Sequence, residues 1–204
     1  MRIPALRGIA IGAVLLDRDG VLNRNLRAGV RVVADWAWIP GAIQAIKMLW
    51  EQGQLLGLVS NQPNVGRGLL SARNLAAIHS KMVMDVGGPR PAFMPGGILY
   101  CPHIPETNCI CRKPRPGLVL DAIKITGLDP LNILLVGDKE SDIAAAHGAG
   151  CWSVHVRSGQ DAPPVPQWPT YLGSFRDLLA VAIAITVEHR PQNAKRISAH
   201  PPRW

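Results

Sequence analysis

The sequence predicts an α/β fold of three layers, with a parallel sheet between two layers of helices. Short apolar runs alternate with helical patterns along the chain, and this alternation favours parallel strands joined by right-handed crossovers. The runs are apolar throughout rather than alternately polar, as expected of strands that are buried on both faces. With 204 residues, the chain is long enough for one such domain with a sizeable core. The sequence therefore favours a Rossmann-like sheet.

Five apolar runs are predicted to form the strands of this sheet. They lie at 11–16, 55–59, 97–100, 132–136 and 151–156, and the helical patterns between them lie at 41–52, 71–84, 117–126 and 140–148. Pro40 and Gly53 bracket the first helix as start and stop signals. The apolar stretch at 178–187 has ten residues, half of the roughly 20 that span a bilayer, so we interpret it as the buried part of a C-terminal helix.

The chain carries a net charge of +8, from 22 lysine and arginine residues against 14 acidic ones. Segment 190–204 holds four basic side chains and no acidic one, so half of the charge belongs to it. Its composition predicts a mobile basic tail behind a single domain at 1–189. The tail could contact nucleic acid or anionic lipid, but a solvated terminus is the simpler interpretation. A hydrophobic content of 48% excludes a disordered chain.

The N-terminus resembles a secretion signal, because Arg2 and Arg7 precede the apolar run GIAIGAVLL. That run continues directly into DRDG, and no small-residue cleavage site follows it. We therefore interpret the run as a central strand, and we expect a cytoplasmic protein that does not associate with membranes.

Acidic side chains follow two of the predicted strands. Asp17 and Asp19 end the first strand two residues apart, a spacing that points both side chains to one side of an extended chain, and Gly20 permits a sharp turn. Asp138 ends the fourth strand, and Asp142 follows one helical turn later. Open parallel sheets bind ligands at this edge, and carboxylates that converge there suit Mg²⁺. The alternative is that these residues only cap turns and helices.

Further polar residues predict an anion site at the same edge. Ser60 and Asn61 end the second strand, where a hydroxyl and backbone N–H groups near the start of a helix favour an anion. Lys113 lies just ahead of a predicted helix, and its ammonium group could neutralise a phosphoryl group. Each residue alone would be ordinary, so the prediction of a phosphate site depends on the set.

The order of these motifs resembles that of the haloacid dehalogenase-like phosphohydrolases: DxDG, a serine or threonine at the second strand end, a lysine, then GDxxxD. The resemblance runs from about residue 12 to about residue 156. It implies that Asp17 is the nucleophile and forms an aspartyl-phosphate. Asp19 would be the general acid for the leaving alcohol and then the general base for water. Ser60 and Lys113 would stabilise the transferring phosphoryl group.

The same resemblance implies a Mg²⁺ site. Its ligands would be the Asp17 carboxylate, the main-chain carbonyl of Asp19 and the Asp138 carboxylate. Asp142 would orient Lys113 or a metal-bound water, although an acid in the first turn of a helix is a simpler role.

A second metal site is predicted in the proline- and glycine-rich segment 86–116, a long loop that needs a restraint. The sequence CPHIPETNCIC offers four ligands with none left over, which suits a closed structural Zn²⁺ site. These ligands are Cys101, His103, Cys109 and Cys111. A disulfide between two of the cysteines is the alternative, and a reducing compartment disfavours it. Cys151 lies in an apolar strand and is predicted to be core.

This zinc loop, followed by CRKP, resembles that of the zinc-containing D-glycero-D-manno-heptose 1,7-bisphosphate 7-phosphatases and the related histidinol-phosphatases, which have no cap domain. The 43-residue spacing between Asp17 and Ser60 agrees, since it leaves room for one crossover only. VSNQPNVGRG and GDK are similar to the heptose enzymes, although Pro63 and Asn64 replace their Ser-Gly pair. The short gap in the zinc loop is instead similar to the histidinol-phosphatases.

The resemblance to the heptose enzymes also implies residues that bind substrate. They would be Asn61, Gln62, Arg67, Arg112 and Lys139. For each of the three cations, a solvated surface position is the alternative. A substrate with a second phosphate would make use of these extra positive charges.

The main hypothesis is therefore a Mg²⁺-dependent phosphatase, acting as a monomer on a small phosphorylated substrate, heptose 1,7-bisphosphate, at its 7-position. Histidinol-phosphatase is the second hypothesis. A polynucleotide 3′-phosphatase is less favoured, because the chain has only two Tyr and two Phe for base stacking, although it has six Trp. An inactive phosphate-binding module is the non-enzymatic alternative, and the complete set of motif residues argues against it.

Overall fold

The computed structural model describes residues 6, 8–87, 93–159 and 168–188, and they contain a single six-stranded sheet. Its strands are β1 (Ala13–Leu16), β2 (Leu55–Asn61), β3 (Ile98–Cys101), β4 (Ile133–Gly137), β5 (Trp152–Val156) and β6 (Tyr171–Phe175). They are ordered β3-β2-β1-β4-β5-β6, and every neighbouring pair is parallel. The predicted α/β class with a parallel sheet is thus confirmed.

Helices cover both faces of the sheet. They are α1 (Ala42–Glu51), the single turn α2 (Pro63–Gly66), α3 (Ala72–Val86), α4 (Gly117–Thr126), α5 (Glu140–Gly148) and α6 (Leu178–Glu188). Side chains of a strand point alternately to its two faces. Accordingly, Val14 and Leu16 pack with α1, α3 and α6 in one core, whereas Ala13 and Leu15 pack with α4 and α5 in the other.

The five predicted strands are all present, but β6 was not predicted. Its sequence YLGSF is mostly half-buried, and Gly173 interrupts it with a positive φ of 110°. The register with β5 also shifts between Ser153 and His155. An edge strand of this kind lacks the continuous apolar run by which the other strands are recognised.

The other chain segments follow the sequence in part. The stretch at 178–187 lies in α6, which packs against α1. The short α2 was not predicted, since a single turn shows no helical periodicity. No helix in the described ranges has the length and hydrophobicity to traverse a bilayer. The predicted tail at 190–204 lies outside the described residues.

The order of the strands determines where a ligand can bind. The chain passes outward from β1 to β2 and β3, and then returns to the other side of β1 with β4. In open parallel sheets, such a reversal leaves a crevice at the carboxyl ends of the two central strands. Asp17 follows β1 directly, Asp138 follows β4, and Ser60 lies near the end of β2, so all three lie at this crevice.

The contact between α1 and the sheet makes a testable contribution to stability. Leu49 of α1 has no solvent exposure, so we expect Leu49→Ala to lower the free energy of unfolding by about 2–5 kcal/mol. Urea unfolding followed by circular dichroism measures this change. Leu69→Ala is the control, because Leu69 is 53% exposed, and its change should stay within about 0.5 kcal/mol. Similar losses in both variants would contradict the assigned core.

Candidate active site

A buried lysine joins two carboxylates at the centre of the crevice. Lys113 Nζ lies 2.9 Å from Asp17 Oδ1 and 2.5 Å from Asp142 Oδ1. The same ammonium donates a hydrogen bond of 2.6 Å to the main-chain oxygen of Val59 in β2. All three charged side chains are buried. Lys113 thus connects β1, β2 and α5 through one group.

The charges of this cluster shift its pKa values in different directions. Burial works to raise the pKa of Asp17, but the positive charges of Lys113 and Lys139 outweigh it, and the pKa is lowered. Burial works to lower the pKa of Lys113, yet the two carboxylates raise it. The pKa of Asp142 is raised, chiefly by burial. Asp17 is therefore held as a carboxylate, the form that a nucleophile requires.

Asp138 has a carboxylate with the properties of a cation ligand. Both of its oxygens are buried, and among the described residues neither accepts a hydrogen bond. Lys139 Nζ lies 3.5 Å from Oδ1. Burial and the negative charge of Asp17 raise the pKa of Asp138 to about 7. Buried oxygens without partners are costly, so the site favours a bound cation.

Two glycines and two further carboxylates lie close to the Asp138 carboxylate. A Cβ atom added at Gly20 or at Gly159 would overlap the Asp138 carboxylate, so only glycine fits at either position. One carboxylate oxygen each from Asp17, Asp138 and Asp142 lies within 4.8 Å of the others. Hard oxygen ligands at this spacing fit Mg²⁺, and Asp17 and Asp138 are the two that belong to the predicted ligand set, whereas Asp142 pairs with Lys113.

Asp19 lies beside this cluster within a network of donors. Arg18 donates to both of its carboxylate oxygens, at 2.8–3.1 Å. Gln62 Nε2 lies 2.9 Å from Asp19 Oδ2 and 3.0 Å from Ser60 Oγ, and Asn23 Nδ2 lies 2.9 Å from Asp19 Oδ1. The predicted residues Asp19, Ser60 and Gln62 are thus linked to one another.

The remaining predicted substrate residues differ in their positions. The Asn61 side chain donates to the Lys113 main-chain oxygen at 2.9 Å and accepts from its N–H at 3.1 Å, which attaches the lysine loop to β2. Arg112 Nη1 donates to the His103 main-chain oxygen at 3.3 Å. Lys139 lies beside Asp138, whereas Arg67 is exposed after α2.

The cysteine loop brings four ligand atoms together. The Sγ atoms of Cys101, Cys109 and Cys111 and a ring nitrogen of His103 all lie within 4.8 Å of one another. Burial raises the pKa of the Cys101 thiol to about 12. Burial also works to raise the pKa of Cys109, but hydrogen bonds from the neighbouring thiols outweigh it and lower this pKa to about 7. The four atoms suit a tetrahedral site for a borderline-soft cation.

A clamp fixes this loop beside Lys113. Arg115 donates from Nη1 to the main-chain oxygens of Asn108 and Cys109, and from Nη2 to the Asn108 side chain at 3.1 Å. An open cavity of about 240 Å³ lies here, with Arg112, Lys113 and Arg115 in its walls. Basic groups from the loop therefore lie next to the crevice.

Sequence reasoning missed several residues that shape the site. Arg18 and Asn23 are fully buried around Asp19. His155 of β5 donates from Nε2 to the Asp138 main-chain oxygen at 3.0 Å, and its Nδ1 lies 3.4 Å from Ser174 Oγ in β6. The position of His155 within an apolar strand was the one sequence feature that could have indicated its role. No sequence feature indicated that Gly159 lies against the Asp138 carboxylate.

Comparisons with known proteins agree with this arrangement. A family model described as HAD-hydrolase-like matches residues 110–177. The D-glycero-beta-D-manno-heptose-1,7-bisphosphate 7-phosphatase of Bordetella bronchiseptica is 36% identical over 174 residues, which cover 83% of this chain and 94% of that protein. The D-glycero-alpha-D-manno-heptose-1,7-bisphosphate 7-phosphatase of Mycobacterium tuberculosis is 38% identical over 150 residues, or 70% of this chain and 78% of that protein.

A solved structure is similar over almost the same length. It is that of D,D-heptose 1,7-bisphosphate phosphatase from B. bronchiseptica, complexed with magnesium and phosphate. The TM-score is 0.79 and the sequence identity is 33%, with 87% of this chain and 99% of that chain covered.

The shared ammonium should stabilise the folded chain. Lys113→Met leaves Asp17 and Asp142 buried without their cation, so we expect the free energy of unfolding in Mg²⁺-free buffer at pH 7 to fall by about 3–5 kcal/mol. The lowered pKa of Asp17 contributes stability above the unfolded pKa, and this contribution disappears as the pH falls. Because an unfolded aspartate has a pKa of about 3.9, the difference between variant and parent should persist down to about pH 4 and shrink below it.

Lys124→Met is the matched control, because the Lys124 side chain is 78% exposed in its pair with Asp121. Its effect should stay below about 1 kcal/mol. Urea titrations of both variants at several pH values measure the differences. A Lys113→Met loss that is equally small, or independent of pH, would contradict the role of the buried pair.

Proposed function

Because the chain belongs to the haloacid dehalogenase-like hydrolase family and is a phosphatase, we propose that it removes the 7-phosphate of D-glycero-D-manno-heptose 1,7-bisphosphate. The convergence of Asp17, Lys113 and Asp138 at one sheet edge supports the chemistry. The names of two relatives that are 36% and 38% identical support the substrate. One of them acts on the β-anomer and the other on the α-anomer, so the experiment must include both.

The first chemical step joins the phosphoryl group to Asp17. A carboxylate oxygen of Asp17 attacks phosphorus, and the bond between phosphorus and the sugar oxygen breaks with its electron pair. The carboxyl group of Asp19 gives its proton to that oxygen, so the sugar leaves as a neutral alcohol. The lowered pKa of Asp17 keeps the nucleophile ionised, and Lys113 supports it from 2.9 Å.

The second step returns the enzyme to its starting state. Asp19, now a carboxylate, accepts a proton from water while the water oxygen attacks phosphorus. The bond from phosphorus to Asp17 breaks, inorganic phosphate leaves, and Asp19 is again protonated. Both steps need an environment in which charge on the phosphoryl oxygens is neutralised.

Several groups supply that neutralisation. Mg²⁺, held by Asp17, Asp138 and the main-chain carbonyl of Asp19, would neutralise charge on the phosphoryl oxygens when bound. The partnerless oxygens of Asp138 support this ligand set. Ser60 and Lys113 would contact the phosphoryl group that is transferred.

We assign the other predicted cations and amides to the rest of the substrate. Asn61 and Gln62 frame the phosphoryl site from β2. Arg112 lines the cavity beside Lys113, and Lys139 lies next to Asp138; both would bind the second phosphate. Arg67, exposed beyond α2, would contact the substrate from the outside.

The cysteine loop would hold a structural Zn²⁺ through Cys101, His103, Cys109 and Cys111. The spacing of the four ligand atoms supports this assignment. Only Arg112 separates Cys111 from Lys113, so fixing the cysteine also fixes the lysine. A cysteine cluster that binds metal instead of forming disulfides is typical of a reducing compartment, which supports a cytoplasmic location. We also propose that the protein acts as a monomer.

A substrate panel tests the proposed activity. We expect phosphate release from the heptose bisphosphate to exceed that from histidinol phosphate and from a 3′-phosphorylated oligonucleotide, and to require Mg²⁺. Asp17→Asn should lower turnover by at least about 10⁴-fold while its circular dichroism spectrum stays unchanged, because the amide cannot act as the nucleophile. Full activity in that variant would rule out the aspartyl-phosphate route. Faster phosphate release from histidinol phosphate would contradict the heptose bisphosphate as the substrate and favour the histidinol-phosphatase hypothesis.

Zinc in the loop should support activity without supporting the sheet. We expect Cys109→Ser to lose bound zinc, measured by elemental analysis, and to lower kcat about 10–100-fold. The circular dichroism spectrum should keep its parental shape. Cys151→Ala is the control, since Cys151 is a buried core cysteine that is not one of the four clustered ligands, and the variant should keep its zinc. Full activity in zinc-free Cys109→Ser would show that zinc in the loop is not needed for catalysis, and would contradict this prediction.

A further inference from the structure

Arg18 lies entirely inside the protein, which is unusual for an arginine. Its side chain has no solvent exposure, although arginine is almost never fully buried unless its charge is paired. One of its nitrogens, Nη1, has no hydrogen-bond partner among the described residues. Burying a guanidinium group in this way is costly, so the position needs an explanation.

Asp19 is the one carboxylate that balances this charge within the described part of the chain. Arg18 approaches it with Nε at 3.1 Å and Nη2 at 2.8 Å from Oδ2, and Nη2 also reaches Oδ1 at 3.1 Å. The planar guanidinium group binds both oxygens of a carboxylate through directed hydrogen bonds, and so fixes its orientation. A lysine ammonium group acts as a point charge and does not. The hydrogen bonds from Arg18 therefore set the orientation of the Asp19 carboxylate.

A buried histidine lies near the Arg18–Asp19 pair. His79 of α3 lies close enough for the charge of Arg18 to affect it. Burial, with that charge as a second cause, lowers the pKa of His79 to about 4, so the imidazole is neutral at pH 7. Among the described residues, Asp19 is thus the ion-pair partner of Arg18.

Two amides complete the frame around the same carboxylate. Asn23, also fully buried, donates to Oδ1 at 2.9 Å. Gln62 donates to Oδ2 at 2.9 Å and lies 3.0 Å from Ser60 Oγ, which connects the frame to the phosphoryl site. The Asp19 side chain itself keeps 17% exposure, so it remains open to the crevice.

We propose that Arg18 is a positioning residue, which with Asn23 aligns the Asp19 carboxyl group for proton transfer to and from the leaving oxygen. This inference rests on the proposed function, in which Asp19 is the proton donor. In this role the Arg18 side chain acts through Asp19, with which it forms its ion pair. If the ion pair only stabilised the fold, its loss would lower the rates with all substrates equally. A positioning role predicts a loss confined to substrates whose leaving oxygen needs a proton.

Two substrates distinguish these roles. An alkyl phosphate, here the heptose bisphosphate, needs a proton on its leaving oxygen, whereas p-nitrophenyl phosphate releases a stable phenolate that needs none. Rapid-quench measurement of the aspartyl-phosphate gives the burst rate for each. We expect Arg18→Lys to lower the burst rate about 100-fold with the alkyl substrate and no more than about threefold with the aryl substrate. Asp19→Asn should give the same selective loss.

Asn23→Ala is the second variant, because it removes a donor to Asp19 without disturbing the buried charge. We expect a smaller loss, about tenfold, again confined to the alkyl substrate; this variant decides the question if Arg18→Lys does not fold. Arg176→Lys is the matched control, since Arg176 pairs with its neighbour Asp177 at 2.7 Å but has a side chain that is 77% exposed. It should leave both burst rates unchanged.

The outcomes separate the two levels of inference. Equal losses on both substrates, or no loss on either, would overturn the positioning role while leaving the proposed function intact. If the unsubstituted chain forms no aspartyl-phosphate from either substrate, the proposed function fails and the inference fails with it.

Discussion

The site depends on one buried ammonium group. Lys113 lies between Asp17 and Asp142 and also donates to the main chain of β2. Without it, carboxylates at the ends of β1 and α5 would repel one another across a space from which water is excluded. The lysine therefore permits the sheet to end in a concentration of negative charge, and that charge is what attracts a divalent cation to the same place.

The loop that delivers Lys113 is held at several points. Asn61 bonds both main-chain groups of the lysine, and Arg115 gathers the carbonyls of the cysteine loop just before it. Some of the basic residues that give the chain its high isoelectric point, such as Lys113 and Arg115, therefore hold segments of the protein together. The remaining cations around the crevice match a small phosphorylated molecule better than an extended polyanion, because they are gathered at one strand edge.

The sequence was sufficient for the fold and for the residues at strand ends. Strands buried on both faces are continuous apolar runs, and the polar residues after them lie at one edge once the sheet is parallel. Arg18 could not be predicted to be buried, since an arginine between two aspartates is typical of a solvated turn. The edge strand β6 and the role of His155 depend on contacts between distant segments, and no local pattern encodes such contacts.

The short distance between Cys111 and Lys113 has an evolutionary consequence. Arg112 alone separates them, and both neighbours are fixed, one within the cysteine cluster and the other between Asp17 and Asp142. Substituting Arg112 changes a side chain but leaves the spacing intact. Inserting or deleting one residue there would force either the cluster or the ammonium out of place. Natural variants of this chain should therefore keep a single residue between this cysteine and this lysine.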